Sequence, residues 1–204
     1  KVESFLFLSS MEVYGSLHRE EKVDENHESF VNTMNPRSSY PEAKRMIETM
    51  CASYASEYDV PAKVIRLTQT FGAGVQMKDN RAYAQFMRSA MAGENIVLFT
   101  EGRTKHSYLY TADAVTAILT VLFNGEIGEA YNAANDKNYC SIKNMAEVLA
   151  AMKEVNVNIE LSKENIQIYP AENYMMLSVD KLKRLYWKPV YGLEKMFINM
   201  MMTI

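Results

Sequence analysis

Tyr40 and Lys44 stand four positions apart in the stretch Tyr-Pro-Glu-Ala-Lys, the spacing that places two side chains one above the other on a helix face. An ammonium beside a phenol favours the ionised form, which a general base for an alcohol proton requires. A second set lies upstream in Ser9-Ser10-Met11-Glu12-Val13-Tyr14-Gly15, where an apolar run ends in a polar turn closed by glycine. In open parallel sheets such strand ends face the ligand crevice, so the loop between can bring the Ser10 hydroxyl to the Tyr40 phenol. On residue types alone, Tyr40 and Lys44 are equally an exposed helical pair, Ser9-Ser10 ordinary turn chemistry and Glu12 a solvated carboxylate.

The elements that must hold these groups follow from periodicity. The run Ser4 to Leu8 is short and aromatic-rich and reads as a buried strand ending in a loop. Residues 16 to 37 are polar with no sustained period, a long connection of a kind that is often functional. A helix is expected from Ser39 to Tyr58, with Ala43, Ile47, Met50, Cys51, Tyr54 and Tyr58 at helical spacing and Pro41 tolerated in the first turn. Ala62 to Leu67 is the next strand, and strand, helix, strand points to a parallel sheet. Further on, the pattern predicts a helix over 81–91, a strand over 96–99 and an extended stretch over 106–110. A packed helix over 112–123 follows, with Val115, Ile118, Leu119 and Leu122 on one face. A strand over 130–133, a helix capped by Ser141, an extended stretch over 157–161 and a last helix over 193–202 complete the reading.

Composition excludes several classes. The 204 residues carry 22 basic and 25 acidic side chains for a net charge of −3, so no basic field invites nucleic acid or anionic lipid. With 48% apolar residues and no apolar run near the ~18 needed to span a bilayer, the chain reads as globular and outside the membrane. Cys51 and Cys140 are too few for a disulfide framework, which predicts reduced thiols and a cytoplasmic protein. His18, His27 and His106 make no ligand-spaced pair and no Cys-x-x-Cys exists, so no metal is assigned. The methionines, fifteen in all, read as helical filler.

Four stretches in order carry a resemblance: Ser-Ser-Met-Glu-Val-Tyr-Gly, then Ser-Tyr-Pro-Glu-Ala-Lys-Arg, then Arg66-Leu67-Thr68-Gln69-Thr70-Phe71-Gly72, then Gly102 to Asp113. Together they resemble the extended short-chain dehydrogenase/reductase family of NAD-dependent nucleotide-sugar epimerases, dehydratases and decarboxylases. The resemblance runs from about Phe5 to the Trp187-Lys188-Pro189 stretch and the final helix. It implies an α/β fold: the C-terminal part of a doubly wound parallel (Rossmann-like) sheet, plus a smaller α/β part that holds the substrate. Residues 1–72 would be the C-terminal half of the NAD-binding domain. Residues 73–204 would mainly bind the nucleotide sugar, with about 106–135 returning to the sheet. The glycine-rich dinucleotide fingerprint is absent, since only Gly72-Ala73-Gly74 approaches it and Met77 stands where a third glycine would fall. The family pattern therefore places about four strands upstream of Lys1.

By the same resemblance Tyr40 is the base, Lys44 holds the nicotinamide ribose and Ser10 hydrogen-bonds the reacting oxygen. Glu12 joins the catalytic set and Ser9 the cofactor contacts, while Gln69, Arg81 and His106 fall on the substrate side. The cofactor is NAD and the substrate a nucleotide sugar, most simply a UDP-sugar, passing through a 4-keto intermediate. A homodimer through paired helices is implied as well. Arg37-Ser38-Ser39-Tyr40-Pro41-Glu42-Ala43-Lys44-Arg45 and Met77-Lys78-Asp79-Asn80-Arg81 resemble the UDP-glucuronate decarboxylase branch. Met11, where dehydratases carry an acid, cannot donate a proton. Three positions depart from the pattern: Gln69 replaces an asparagine, Phe71 replaces a tyrosine, and His106 replaces a diphosphate-binding arginine with an imidazole that ionises near ~6.5. A UDP-hexose 4-epimerase, and a family member that binds nucleotide sugar without turnover, are the alternative readings.

Overall fold

The computed structural model describes residues 2–76, 78–161 and 172–203; Lys1 and Met77 lie outside them. Strand β1 (Phe5–Ser10) runs parallel to β3 (Ala62–Leu67), and β3 runs parallel to β8 (Ala130–Ala133), giving the order β1-β3-β8. The register sets Ser9 opposite Arg66 and Arg66 opposite Asn132. Parallel neighbours need crossovers, and helices supply them. Helix α1 (Ser39–Tyr58) connects β1 to β3, and α3 (Thr111–Asn124) precedes β8. The sheet thus has the parallel, helix-connected architecture that the alternation predicts and the Rossmann-like form that the resemblance implies.

The remainder forms a second packed body. Helices α2 (Ala82–Met91), α4 (Ile142–Lys153) and α6 (Leu193–Met201) share a core with Phe71, Tyr83, Met87, Ile96, Leu149, Phe197 and Met200. Strand β5 (Ile96–Leu98) pairs in parallel with β10 (Val157–Ile159). A small mixed sheet has the order β2-β11-β6-β9, formed by β2 (Lys22–Val23), β11 (Tyr174–Leu177), β6 (Lys105–Ser107) and β9 (Tyr139–Ser141). Two residues each of β4 (Thr70–Phe71) and β7 (Leu109–Tyr110) pair next to the main sheet. Helix α5 (Asp180–Lys183) is a single turn. Among the described residues, no helix is long and apolar enough to cross a membrane.

Two helices bury a face other than the expected one. Of the periodic apolar positions of α1, only Cys51 is buried, while Ile47, Met50, Tyr54 and Tyr58 remain exposed. On α3 the buried set is Asp113, Ala114, Ala117 and Val121, and Val115 and Leu119 face outward. Small side chains let α3 approach the sheet closely, so its larger residues are left on the far side. The stretch expected to be extended over 106–110 divides into β6 and β7, which belong to different sheets.

Candidate active site

Strand β1 continues two residues beyond its apolar run, to Ser10. There the Ser10 side chain accepts the backbone N–H of Glu12 at 3.2 Å and caps a 3₁₀ turn, Met11–Tyr14. Gly15 closes the turn at φ 66°, and a side chain at that position would collide with the Phe30 carbonyl. Met11, Val13 and Tyr14 are driven inward with Val23, Ala134, Met175 and Leu177, which fixes the turn. Glu12 is left on the outside, and the protein around it raises its carboxyl above the ordinary range by desolvation. Met11 is buried with its sulfur accepting the Thr68 hydroxyl at 3.2 Å, a packing position that carries no proton.

Helix α1 starts from a 3₁₀ turn at Pro36–Ser38, capped by Asn35, whose side chain accepts the Arg37 N–H at 3.0 Å. Its first turn presents Tyr40, 49% exposed. One turn on, Lys44 leans back to the end of β1: its Nζ donates to the Leu8 carbonyl at 2.9 Å. The same ammonium lies 4.8 Å from the centroid of the Phe7 ring and 5.5 Å from that of Tyr40. Ser9, Ser10, Tyr40 and Lys44 are therefore gathered where the sheet's carboxyl edge meets α1, with Glu12 on the adjoining turn.

Below this edge lies a polar layer that residue types alone did not single out. The Ser9 hydroxyl donates to Glu48, one helical turn beyond Lys44. Glu48 accepts Arg66 Nε at 3.1 and 3.2 Å and Arg66 Nη2 at 2.7 Å. Arg66 Nη1 donates to the Tyr14 hydroxyl at 2.8 Å, and Tyr14 donates in turn to Asn132 Oδ1 at 2.8 Å. Glu25 closes the layer by accepting the Asn132 N–H at 2.7 Å. Burial raises the Tyr14 phenol to about 12. A cavity of about 360 Å³ opens beside this layer, lined by Glu25, His27, Arg45, Glu48 and Arg66 among others. The legible signal was the i, i+4 run Tyr40, Lys44, Glu48, but its partner Arg66 is set by strand register.

The substrate-side residues fall in three places. Gln69 is exposed just after β3, and its carbonyl accepts the Leu109 N–H at 3.1 Å. Arg81 stands just before the first turn of α2 and lines a cavity of about 460 Å³ with Gly72, Gly74, Asp79, Tyr83 and Thr111 among others. It binds Asp79 in a fork, Nε to Oδ1 at 3.0 Å and Nη2 to Oδ2 at 2.5 Å, which holds the Asp79 carboxyl down at about 2. His106 is not among the residues lining that cavity. It is buried in β6 between β11 and β9, with neither ring nitrogen hydrogen-bonded. Desolvation lowers its ionisation to about 4. Burial so placed works against the charge change near neutrality that the sequence suggested for His106.

Residues 1–134 match the model of the NAD dependent epimerase/dehydratase family. The chain is 30% identical over 192 residues to UDP-glucuronic acid decarboxylase 1 of Danio rerio, covering 93% of this chain and 44% of the relative. It is 27% identical over 192 residues to dTDP-D-glucose 4,6-dehydratase of Mus musculus, covering 92% and 52%. It thus spans about half the length of these relatives. The fold is similar to that of dTDP-glucose 4,6-dehydratase from Bacillus anthracis in complex with NAD, with a TM-score of 0.79 at 20% identity over 94% of this chain and 58% of that one. It is equally similar to UDP-glucuronic acid 4-epimerase from Bacillus cereus in complex with UDP-glucuronic acid and NAD, at TM-score 0.79 and 19% identity over 98% and 60%. With its motifs, its parallel sheet and the family match over the first 134 residues in agreement, the chain belongs to the NAD dependent epimerase/dehydratase family.

Proposed function

We propose that the whole protein is an NAD-dependent enzyme acting on a nucleotide sugar, a UDP-sugar. It would oxidise a ring hydroxyl to a transient 4-keto form and then decarboxylate or epimerise it. The gathering of Ser10, Tyr40 and Lys44 at the carboxyl end of β1 carries this reading, because it supplies a proton acceptor, a hydroxyl donor and a cation in one place. The Tyr40 phenol, open to solvent in the first turn of α1, takes the hydroxyl proton, and Ser10 hydrogen-bonds the reacting oxygen. Lys44 has three donors and one is on the Leu8 carbonyl, which leaves donors for the ribose hydroxyls of a nicotinamide nucleotide beside Ser9. The donor set fits that end of NAD, which when bound supplies the hydride acceptor.

Arg81 and its cavity take the nucleotide side in this reading, with Gln69 at the strand edge. His106 would contribute shape rather than charge, so the diphosphate falls to cations such as Arg81. Residues 1–72 and about 106–135 would form the cofactor side, and the remainder of 73–204 the sugar side. The 30% identity to a UDP-glucuronic acid decarboxylase favours a uronic acid substrate. The free cysteines Cys51 and Cys140 accord with a reducing, cytoplasmic setting. A homodimer is part of the proposal, through the exposed stripe Met46, Met50, Tyr54 and Tyr58 on α1.

The test is the whole protein incubated with UDP-glucuronic acid and NAD, with products separated by chromatography and read by mass spectrometry. Loss of carbon dioxide identifies a decarboxylase, and an isomer of unchanged mass an epimerase. Tyr40→Phe is expected to lower kcat by ~10²-fold or more with nucleotide-sugar affinity nearly unchanged. Absence of any product from UDP-sugars rejects the enzyme reading, and a Tyr40→Phe variant with more than about a tenth of the turnover rejects the base.

A further inference from the structure

We propose that the Glu48–Arg66 pair is the positioning element of the site, fixing the Tyr40–Lys44 stripe of α1 against the Ser10 end of β1. The inference rests on the catalytic reading above for its kinetic arm. Tyr40, Lys44 and Glu48 are spaced i, i+4, i+8 along one helix, so the third member sets the rotation and height of the first two. Glu48 is held from two strands at once: by the Ser9 hydroxyl on β1, next to Ser10, and by the forked guanidinium of Arg66 on β3. Arg66 then reaches the 3₁₀ turn through Tyr14, and Tyr14 reaches β8 through Asn132. The strand end, the helix and the turn are thereby tied at one register level.

The energetics support positioning over bulk stabilisation. Both side chains are largely withdrawn from water, Glu48 at 12% and Arg66 at 14% exposure. A buried ion pair returns little net stability, since desolvation offsets attraction, and apolar residues of similar volume often replace it at no loss. Its directional bonds, however, admit one geometry. A helix with few buried side chains depends on such bonds for its placement, and displacement of a reacting group by about 1 Å can cost ~10²-fold in rate. On α1, packing is sparse: Pro41 and Cys51 are its buried residues.

Three variants test the assignment: Glu48→Gln, Glu48→Leu, and Glu48→Leu combined with Arg66→Met. The double variant restores an apolar match and should recover thermal stability that Glu48→Leu loses. Turnover should stay lower by about tenfold or more in Glu48→Gln and in the double variant, with KM for the nucleotide sugar within about threefold of wild type. Hydrogen exchange read by mass spectrometry on peptides covering 9–15 and 39–50 should accelerate in both, while 142–153 in α4 is unchanged. A double variant with wild-type exchange in those peptides overturns the inference, whether or not the protein turns over a nucleotide sugar. If the wild type shows no turnover, the proposed function alone falls and the exchange arm still decides.

Discussion

At the scale of single residues, the environment decides what each side chain can do. His106 shows this best, since a position expected to meet phosphate stands inside a sheet with both ring nitrogens unbonded, and desolvation lowers its ionisation to about 4. Between about 4 and the ordinary ~6.5, the unfolded chain binds a proton that the folded chain refuses. Stability therefore rises with pH across that window, is complete above ~6.5, and is lost as pH falls. At ~1.36 kcal/mol per unit the window carries roughly 3 kcal/mol. Urea unfolding of wild type and His106→Leu at pH 4.5 and 7.5 checks it: the variant should lose most of the pH slope. An equal slope in both would mean that another group titrates. Tyr40 and Lys44 could be read from the sequence because helical spacing is local. Arg66, Tyr14 and Asn132 could not, because strand register brings them together across the chain.

At the scale of elements, the regular ones were legible and the short ones were not. The bounds of α1, β3 and β8 coincide with the sequence expectation, and Ser141 caps α4 by accepting the Asn144 N–H at 2.9 Å. Strand β2 has two residues and β11 four; pairs so short have no period to detect, and they exist because β6 offers an edge to β11 and β11 one to β2. The buried face of α3 was misjudged for a related reason. Its large apolar residues suggested the core, whereas the inward position is set by Asp113, whose carboxylate accepts the N–H groups of Val190 at 3.0 Å and Tyr191 at 3.0 Å. Those bonds tie the segment before α6 to the first turn of α3, and Trp187 Nε1 donating to Thr116 Oγ1 at 3.0 Å adds a second tie. Asp113→Ala leaves two N–H groups without their acceptor, at about 1–3 kcal/mol each if water does not enter. Chemical denaturation should show a loss of at least about 2 kcal/mol; a change under 0.5 kcal/mol, roughly the scatter of surface substitutions, would mean that water replaces the carboxylate.

At the scale of the 204-residue chain, the notable property is apolar surface that its described residues leave uncovered. Strand β1 has β3 on one side, and among the described residues no strand pairs with its other edge, where Phe5 is 46% exposed. Unpaired edges template further strands, and lysine is one residue that blunts them; Lys44 occupies the Leu8 carbonyl but leaves the strand's beginning open. Helix α1 adds the stripe from Met46, 62% exposed, to Tyr58, 65% exposed, and α3 adds Phe123 at 73%. These surfaces predict different assemblies. A helical stripe paired with its own copy across a two-fold axis closes at a dimer, and so does a strand edge paired with its own copy, so that only the two surfaces together add chains beyond a dimer. Sedimentation velocity of this 204-residue chain should show association that grows with concentration. Phe5→Lys should remove the species larger than a dimer, and adding Met50→Glu and Tyr54→Glu to it should remove the dimer itself. A monomer at all concentrations would mean that neither surface drives assembly. A dimer surviving the helix substitutions but lost with Phe5→Lys would transfer the interface from α1 to the edge of the sheet.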